Sequence, residues 1–196
     1  MSNPVDLCLA SASPRRKALL EQIGLSCLQY PVDLDETPLP EESAQAYVLR
    51  LAEDKARAGM LRSGTELPVL GSDTSVVYQG QILGKPRDET HCVEMLMQLS
   101  GRTHQVMTGV AVCQGNQMHS LLSITEVTFR ILSEQECRQY WYTGEPADKA
   151  GGYGIQGLAA VFVESVSGSY SNVVGLPLFE TAELLKKYDI QILERS

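Results

Sequence analysis

Strand-like and helix-like periodicities alternate along this chain, and that alternation restricts its fold more than any other feature. The run Val5–Ala10, broken only by Asp6, reads as a buried strand. From Arg16 to Ile23 the spacing is helical, with Ser13 suited to the N-cap, Pro14 to the first helical position and Gly24 to the end. The switch then recurs. Residues 25–37 read as extended and acidic, and a second helix runs from about Glu41 to Leu61. "LPVLGSDTSVVYQGQILGKP" reads as a buried strand, a turn at Gly71-Ser72-Asp73 and a hairpin turning at Gln79-Gly80. A third helix covers about 87–99, and strands at about 104–114 and 117–131 pair through "GN" as a long hairpin. Ser133 and Glu136 form a capping box for a helix to about Tyr142. A glycine-rich loop leads to an apolar strand, "LAAVFVESV", then to a helix at about 177–188 and a short terminal strand. This order is that of an α/β fold.

No linker, repeat or low-complexity tract interrupts the pattern, so residues 1–196 are read as a single domain. The hairpin excursion is large enough for a second lobe, with a cleft between the two. No apolar run approaches the roughly 20 residues that cross a bilayer, and no signal peptide is evident. Five cysteines, an odd count without CxxC spacing, point to free thiols in a reducing compartment and so to the cytoplasm. The formal net charge of −8 disfavours a non-specific nucleic-acid binder, so any anion site rests on a few local cations.

Each candidate site residue has two readings. Arg15 and Arg16 follow the N-cap, where cations oppose the helix dipole; they are a solvated basic pair or the grip of an anion site. The loop is not a phosphate loop of the GxxxxGK[ST] type. Lys55 falls on the stripe of Tyr47 and Leu51, and either snorkels to water or points into a cleft. Asp73 serves turn chemistry or lies at a strand end where ligands bind. Glu36 belongs to a solvated acidic run or, with Asp73, supplies the one or two carboxylates a Mg²⁺ site needs beside substrate phosphates. Lys85, between Gly84 and Pro86, is a hairpin exit or a further cation. Asp148, Lys149 and Gln156 share the glycine-rich loop, where the Gln156 amide is free to read a base edge or simply to face water. His91, His104 and His119 show no metal-ligand spacing, and there is no GxSxG elbow. Cations and two carboxylates without a covalent nucleophile suit phosphoanhydride chemistry with a metal and water.

"LASASPRR", "DET", "EDKA", "LGSDT", "GKP", "GRTHQVMTGV", "DKAGGYGIQG" and "GSYSNVVGLP" occur here in the order found in Maf nucleotide pyrophosphatases. The resemblance spans about residues 5–185. It implies a two-lobed mixed-sheet α/β fold with a cleft, similar to that of inosine triphosphate pyrophosphatases. It also implies hydrolysis of a nucleoside triphosphate to monophosphate and pyrophosphate with Mg²⁺ or Mn²⁺, and a homodimer. Carried over, the family's catalytic positions fall on Asp73, as the base, and on Glu36, Lys55 and Lys85. Its substrate-binding positions fall on Ser13, Arg15, Arg16, Thr74 and Gln156, and its metal ligands on Glu36 and Asp73. Arg15, Thr74 and Gln156 carry substrate choice. "YGIQG" is similar to the branch acting on dTTP and UTP. Ala12 and Ser72 depart slightly from the pattern without removing a functional group. Two rival readings stand beside this one: a septum regulator that binds nucleotide with little turnover, and a nucleotidyltransferase, whose triphosphate loops are usually glycine-rich.

Overall fold

The computed structural model describes residues 5–193. Among them, seven strands form one mixed sheet. In chain order these are β1 (Leu7–Leu9), β2 (Cys27–Gln29), β3 (Val69–Tyr78), β4 (Gln81–Leu83), β5 (Thr103–Gln114), β6 (Gln117–Phe129) and β7 (Val163–Ser167). The spatial order is β2-β1-β3-β5-β6-β7, with β4 added to one end of β3. β1 runs parallel to both β2 and β3, and the other pairings are antiparallel. Six helices pack on this sheet: α1 (Pro14–Gln22), α2 (Ala44–Ser63), α3 (Glu89–Leu99), α4 (Glu134–Trp141), α5 (Tyr170–Val174) and α6 (Leu178–Lys186). None is long and apolar enough to cross a membrane.

Local chemistry sets most boundaries where the sequence puts them. The Ser13 hydroxyl accepts the Arg16 N–H and Pro14 opens α1. Ser133 and Glu136 close the capping box of α4. Gln79 and Gly80, both at positive φ, turn β3 into β4. The second helix starts later than expected, because Ser43 caps it and Glu41 sits at φ 58°.

Three expectations are corrected. Gly71-Ser72-Asp73 is not a turn: β3 runs straight through it, paired to β5 from Val69 to Val77. Gly71 is required there by α2, since a Cβ would stand 2.2 Å from the Ala52 carbonyl oxygen. Gly109 on β5 meets the Val48 carbonyl oxygen at the same distance, so the two glycines let α2 lie directly on the sheet. "LAAVFVESV" is a strand only from Val163; Leu158–Phe162 is a 3-10 helix whose first N–H groups are held by the Glu145 carboxylate. No terminal strand follows α6 within the described residues, and residues 194–196 lie outside them.

The long strands cross from one apolar cluster to another. Leu70, Val110 and Val112 pack with α1 and α6, whereas Val76, Val106 and Phe129 pack with α3 and α4. Two lobes thus share one sheet. Between them β1 pairs with β3 only as far as Leu70, and β4 rejoins β3 only at Val76. The intervening edge of β3, which carries Asp73 and Thr74, opens into a cleft.

Candidate active site

The cleft is a cavity of about 550 Å³. It is lined by Ser13, Arg15, Arg16, Glu36, Lys55, Asp73, Thr74, Lys85 and Gln156, so the structure brings every residue singled out from sequence to one place. Because side chains alternate along β3, the cavity is furnished from both faces of the sheet. Asp73 points to the α2 face and Thr74 to the opposite one.

On the α2 face, Lys55 is buried and does not snorkel. Its ammonium lies 2.6 Å from Glu36 Oε1 and 2.7 Å from Asp73 Oδ1. Glu36 is brought in by the loop before α2, whose position α2 itself fixes. The Tyr47 hydroxyl donates to the Glu36 carbonyl at 2.8 Å, and Arg50 grips Glu42 through Nε and Nη2. Burial, with the charges of Asp73 and Glu36, pushes the Tyr47 phenol up to about 12, so it remains a donor. Burial alone would raise the Glu36 carboxyl. The hydrogen bond and charge of Lys55, followed by the charges of Lys85 and Arg16, outweigh it and hold the group below its usual range.

On the other face, Arg16 is locked by three acceptors. Nε donates to the Gly175 carbonyl at 2.8 Å, Nη1 to Ser11 Oγ at 3.2 Å and Nη2 to Thr74 Oγ1 at 3.3 Å. Burial lowers its pKa from the ordinary arginine value, with the charge of Asp73 acting in the opposite sense. The guanidinium stays charged and is aimed before any ligand arrives. Thr74 Oγ1 lies 2.9 Å from Thr108 Oγ1, which donates to the Asn172 carbonyl at 3.1 Å. With the Thr108 hydrogen committed there, Thr74 donates to Thr108 and keeps a lone pair for Arg16. Arg15 and Lys85 also line the cavity but form no ion pair within 4 Å among the described residues, which leaves two cations for an incoming anion.

Ser13 lines the cavity, and its hydroxyl also caps α1. The sequence reading missed Ser11, Thr108, Asn172 and Gly175. Asn172 is fully buried, and its side-chain amide donates to the Val106 carbonyl and to Thr125 Oγ1. It thereby fixes α5 and the Gly175 carbonyl, which accepts from both Arg16 and Ser72. Their only signal was membership of the "LASASPRR", "GRTHQVMTGV" and "GSYSNVVGLP" segments.

A family model described as Maf-like protein matches residues 6–188. The chain belongs to the Maf family. It is similar to a dTTP/UTP pyrophosphatase of Saccharophagus degradans, at 55% identity over 97% of this chain and 92% of the relative. The dTTP/UTP pyrophosphatase of Pectobacterium atrosepticum is 54% identical over 93% of this chain and 92% of its own length. That of Escherichia coli K12 is 50% identical over 93% of both chains. Among solved structures, a HAM1 protein from Coxiella burnetii overlays 64% of this chain and 73% of its own at 16% identity. Its TM-score is 0.47, a partial likeness that carries no argument. As a Maf protein, the chain bears its family's motifs on the cavity wall.

Proposed function

We propose that this protein hydrolyses nucleoside triphosphates, dTTP and UTP first among them, to the monophosphate and pyrophosphate. The observation that carries this reading is the convergence of Asp73 and Glu36 with Arg15, Arg16, Lys55 and Lys85 on one cavity sized for a nucleotide. The names of the relatives support the same substrates.

Glu36 Oε1 and Asp73 Oδ1 already converge on a single cation, the Lys55 ammonium. One oxygen of each carboxylate, Glu36 Oε2 and Asp73 Oδ2, stays without a hydrogen bond among the described residues, and two such hard donors suit Mg²⁺ or Mn²⁺, with substrate phosphates completing the shell. Among the described residues no cluster of three or more His, Cys, Asp or Glu gathers. When bound, the metal supplies charge neutralisation at the phosphates and acidifies water.

The chain's own residues do the rest. Asp73 orients a water towards the α-phosphorus and takes its proton. Arg16, pre-aimed by its three acceptors, holds phosphate oxygens without reorganising during the reaction. Arg15 and Lys85 take up the charge that develops on departing pyrophosphate, and Lys55 keeps the two carboxylates together. Gln156 selects the pyrimidine, because a base that leaves its amide unpaired is rejected, and Thr74 contributes by accepting from and aiming Arg16. All five cysteines are free thiols, which suits a cytoplasmic enzyme.

Pyrophosphate release from a panel of standard and modified nucleoside triphosphates, with Mg²⁺ and with Mn²⁺, tests the reading. Turnover of dTTP and UTP above that of purine nucleotides is expected. Tight binding without pyrophosphate, or turnover that requires an acceptor molecule, contradicts it.

A further inference from the structure

Gln156 sits on an exposed loop at the cavity wall, yet a base-reading amide works only if its position is held to a fraction of an ångström. Both ends of that loop are tied to one pair of side chains. Tyr140 on α4 donates its hydroxyl to Glu145 Oε1 at 2.6 Å. The same hydroxyl accepts the Gly154 N–H at 3.3 Å, two residues before Gln156. Two residues after it, Glu145 Oε2 accepts the Leu158 N–H at 2.8 Å, and Oε1 takes the Ala159 N–H at 3.4 Å. The approach is tight: a Cβ on Gly157 would lie 2.3–2.4 Å from the Glu145 carboxyl atoms. Lys149 Nζ donates to the Glu145 carbonyl at 2.8 Å and anchors the same segment.

Burial and the bond to Glu145 push the Tyr140 phenol far above its ordinary value, so it stays a donor. Burial raises the Glu145 carboxyl, but the Tyr140 hydroxyl and the two backbone N–H groups outweigh this and keep it ionised. Neither side chain lines the cavity.

We propose that Tyr140 and Glu145 are positioning residues for base selectivity, a clamp that sets where the Gln156 amide stands against the pyrimidine edge. The proposal rests on Gln156 reading the base. A merely structural pair would, when broken, lower stability and slow every substrate alike. A clamp on the base reader changes the ratio between substrates that differ only at that edge.

UTP and CTP form such a pair. The test measures kcat and KM for both with wild type, Tyr140→Phe, Glu145→Gln, Gln156→Ala and the Tyr140→Phe/Gln156→Ala double variant. Tyr140→Phe keeps the ring that packs edge-on against Phe162 at 5.2 Å, and Glu145→Gln serves if it does not fold. Tyr140→Phe is expected to raise KM for UTP about fivefold, the worth of one hydrogen bond. The UTP:CTP ratio of kcat/KM should narrow by a similar factor, with kcat for UTP changing less than about twofold. Glu145→Gln should move the ratio in the same direction. The double variant should narrow it no further than Gln156→Ala alone. If Gln156→Ala shifts the ratio while both clamp variants leave it unchanged, the clamp is overturned and base reading stands. If Gln156→Ala itself leaves the ratio unchanged, base reading fails, and the clamp's role in it fails too.

Discussion

Two neighbouring arginines that look equivalent in the sequence are given opposite situations by the fold. Arg16 spends its guanidinium on Gly175, Ser11 and Thr74, whereas Arg15 lines the cavity without an ion pair among the described residues. Arg16→Ala removes three hydrogen bonds, at about 0.5–1.5 kcal/mol each, while the acceptors keep other partners in Ser72, the Ser13 N–H and Thr108. It is expected to lower the melting temperature as well as turnover. Arg15→Ala should leave the melting temperature within about a degree of wild type, since surface changes cost little, and act on KM for the triphosphate. Thermal unfolding beside steady-state kinetics checks the division. Equal melting temperatures for the two variants would contradict it. The local spacing placed both arginines at the start of α1 but could not separate them, because the acceptors that distinguish them come from residues 74 and 175.

At the scale of elements, the caps, the hairpins and most helix boundaries were legible because they depend on neighbours within a few residues. The misreadings have distant causes. Gly71 in "LGSDT" reads as a turn former, yet it is small because α2 lies on it. "LAAVF" reads as a strand, yet Glu145, thirteen residues before Leu158, caps it as a 3-10 helix. His104 on β5, which the sequence marks only as lacking metal-ligand spacing, is buried, and its partner comes from the glycine-rich loop. Its Nε2 lies 2.7 Å from the Tyr153 hydroxyl, and its Nδ1 has no partner among the described residues. Burial lowers its pKa to about 4. In the unfolded chain the value is about 6.5, so below that pH the unfolded state gains a proton that the folded state does not. Stability is therefore expected to be full above pH 6.5 and to fall as pH drops through 4. The loss between pH 7.5 and pH 5 is about 2 kcal/mol. Denaturant unfolding across that range, in wild type and His104→Gln, measures it. An equally steep loss in the variant would assign the effect to other groups.

On the scale of the whole molecule, the site exists because one sheet serves two lobes and leaves a stretch of one edge of β3 unpaired between them. The residues there come from the start of α1, the loop before α2, α2 itself, β3, the β4 exit and the glycine-rich loop. The motif order made this set legible as a list. The list held neither Lys55 as the bridge between Glu36 and Asp73 nor Asn172 as the anchor of Gly175, because both act through contacts across the fold. The proposed reaction is attack by water on the α-phosphorus, with pyrophosphate as the leaving group. Hydrolysis of UTP in ¹⁸O-labelled water, with mass analysis of both products, tests that most directly. Label in the uridine monophosphate and none in the pyrophosphate is expected; label in the pyrophosphate, or release of labelled orthophosphate, would contradict it.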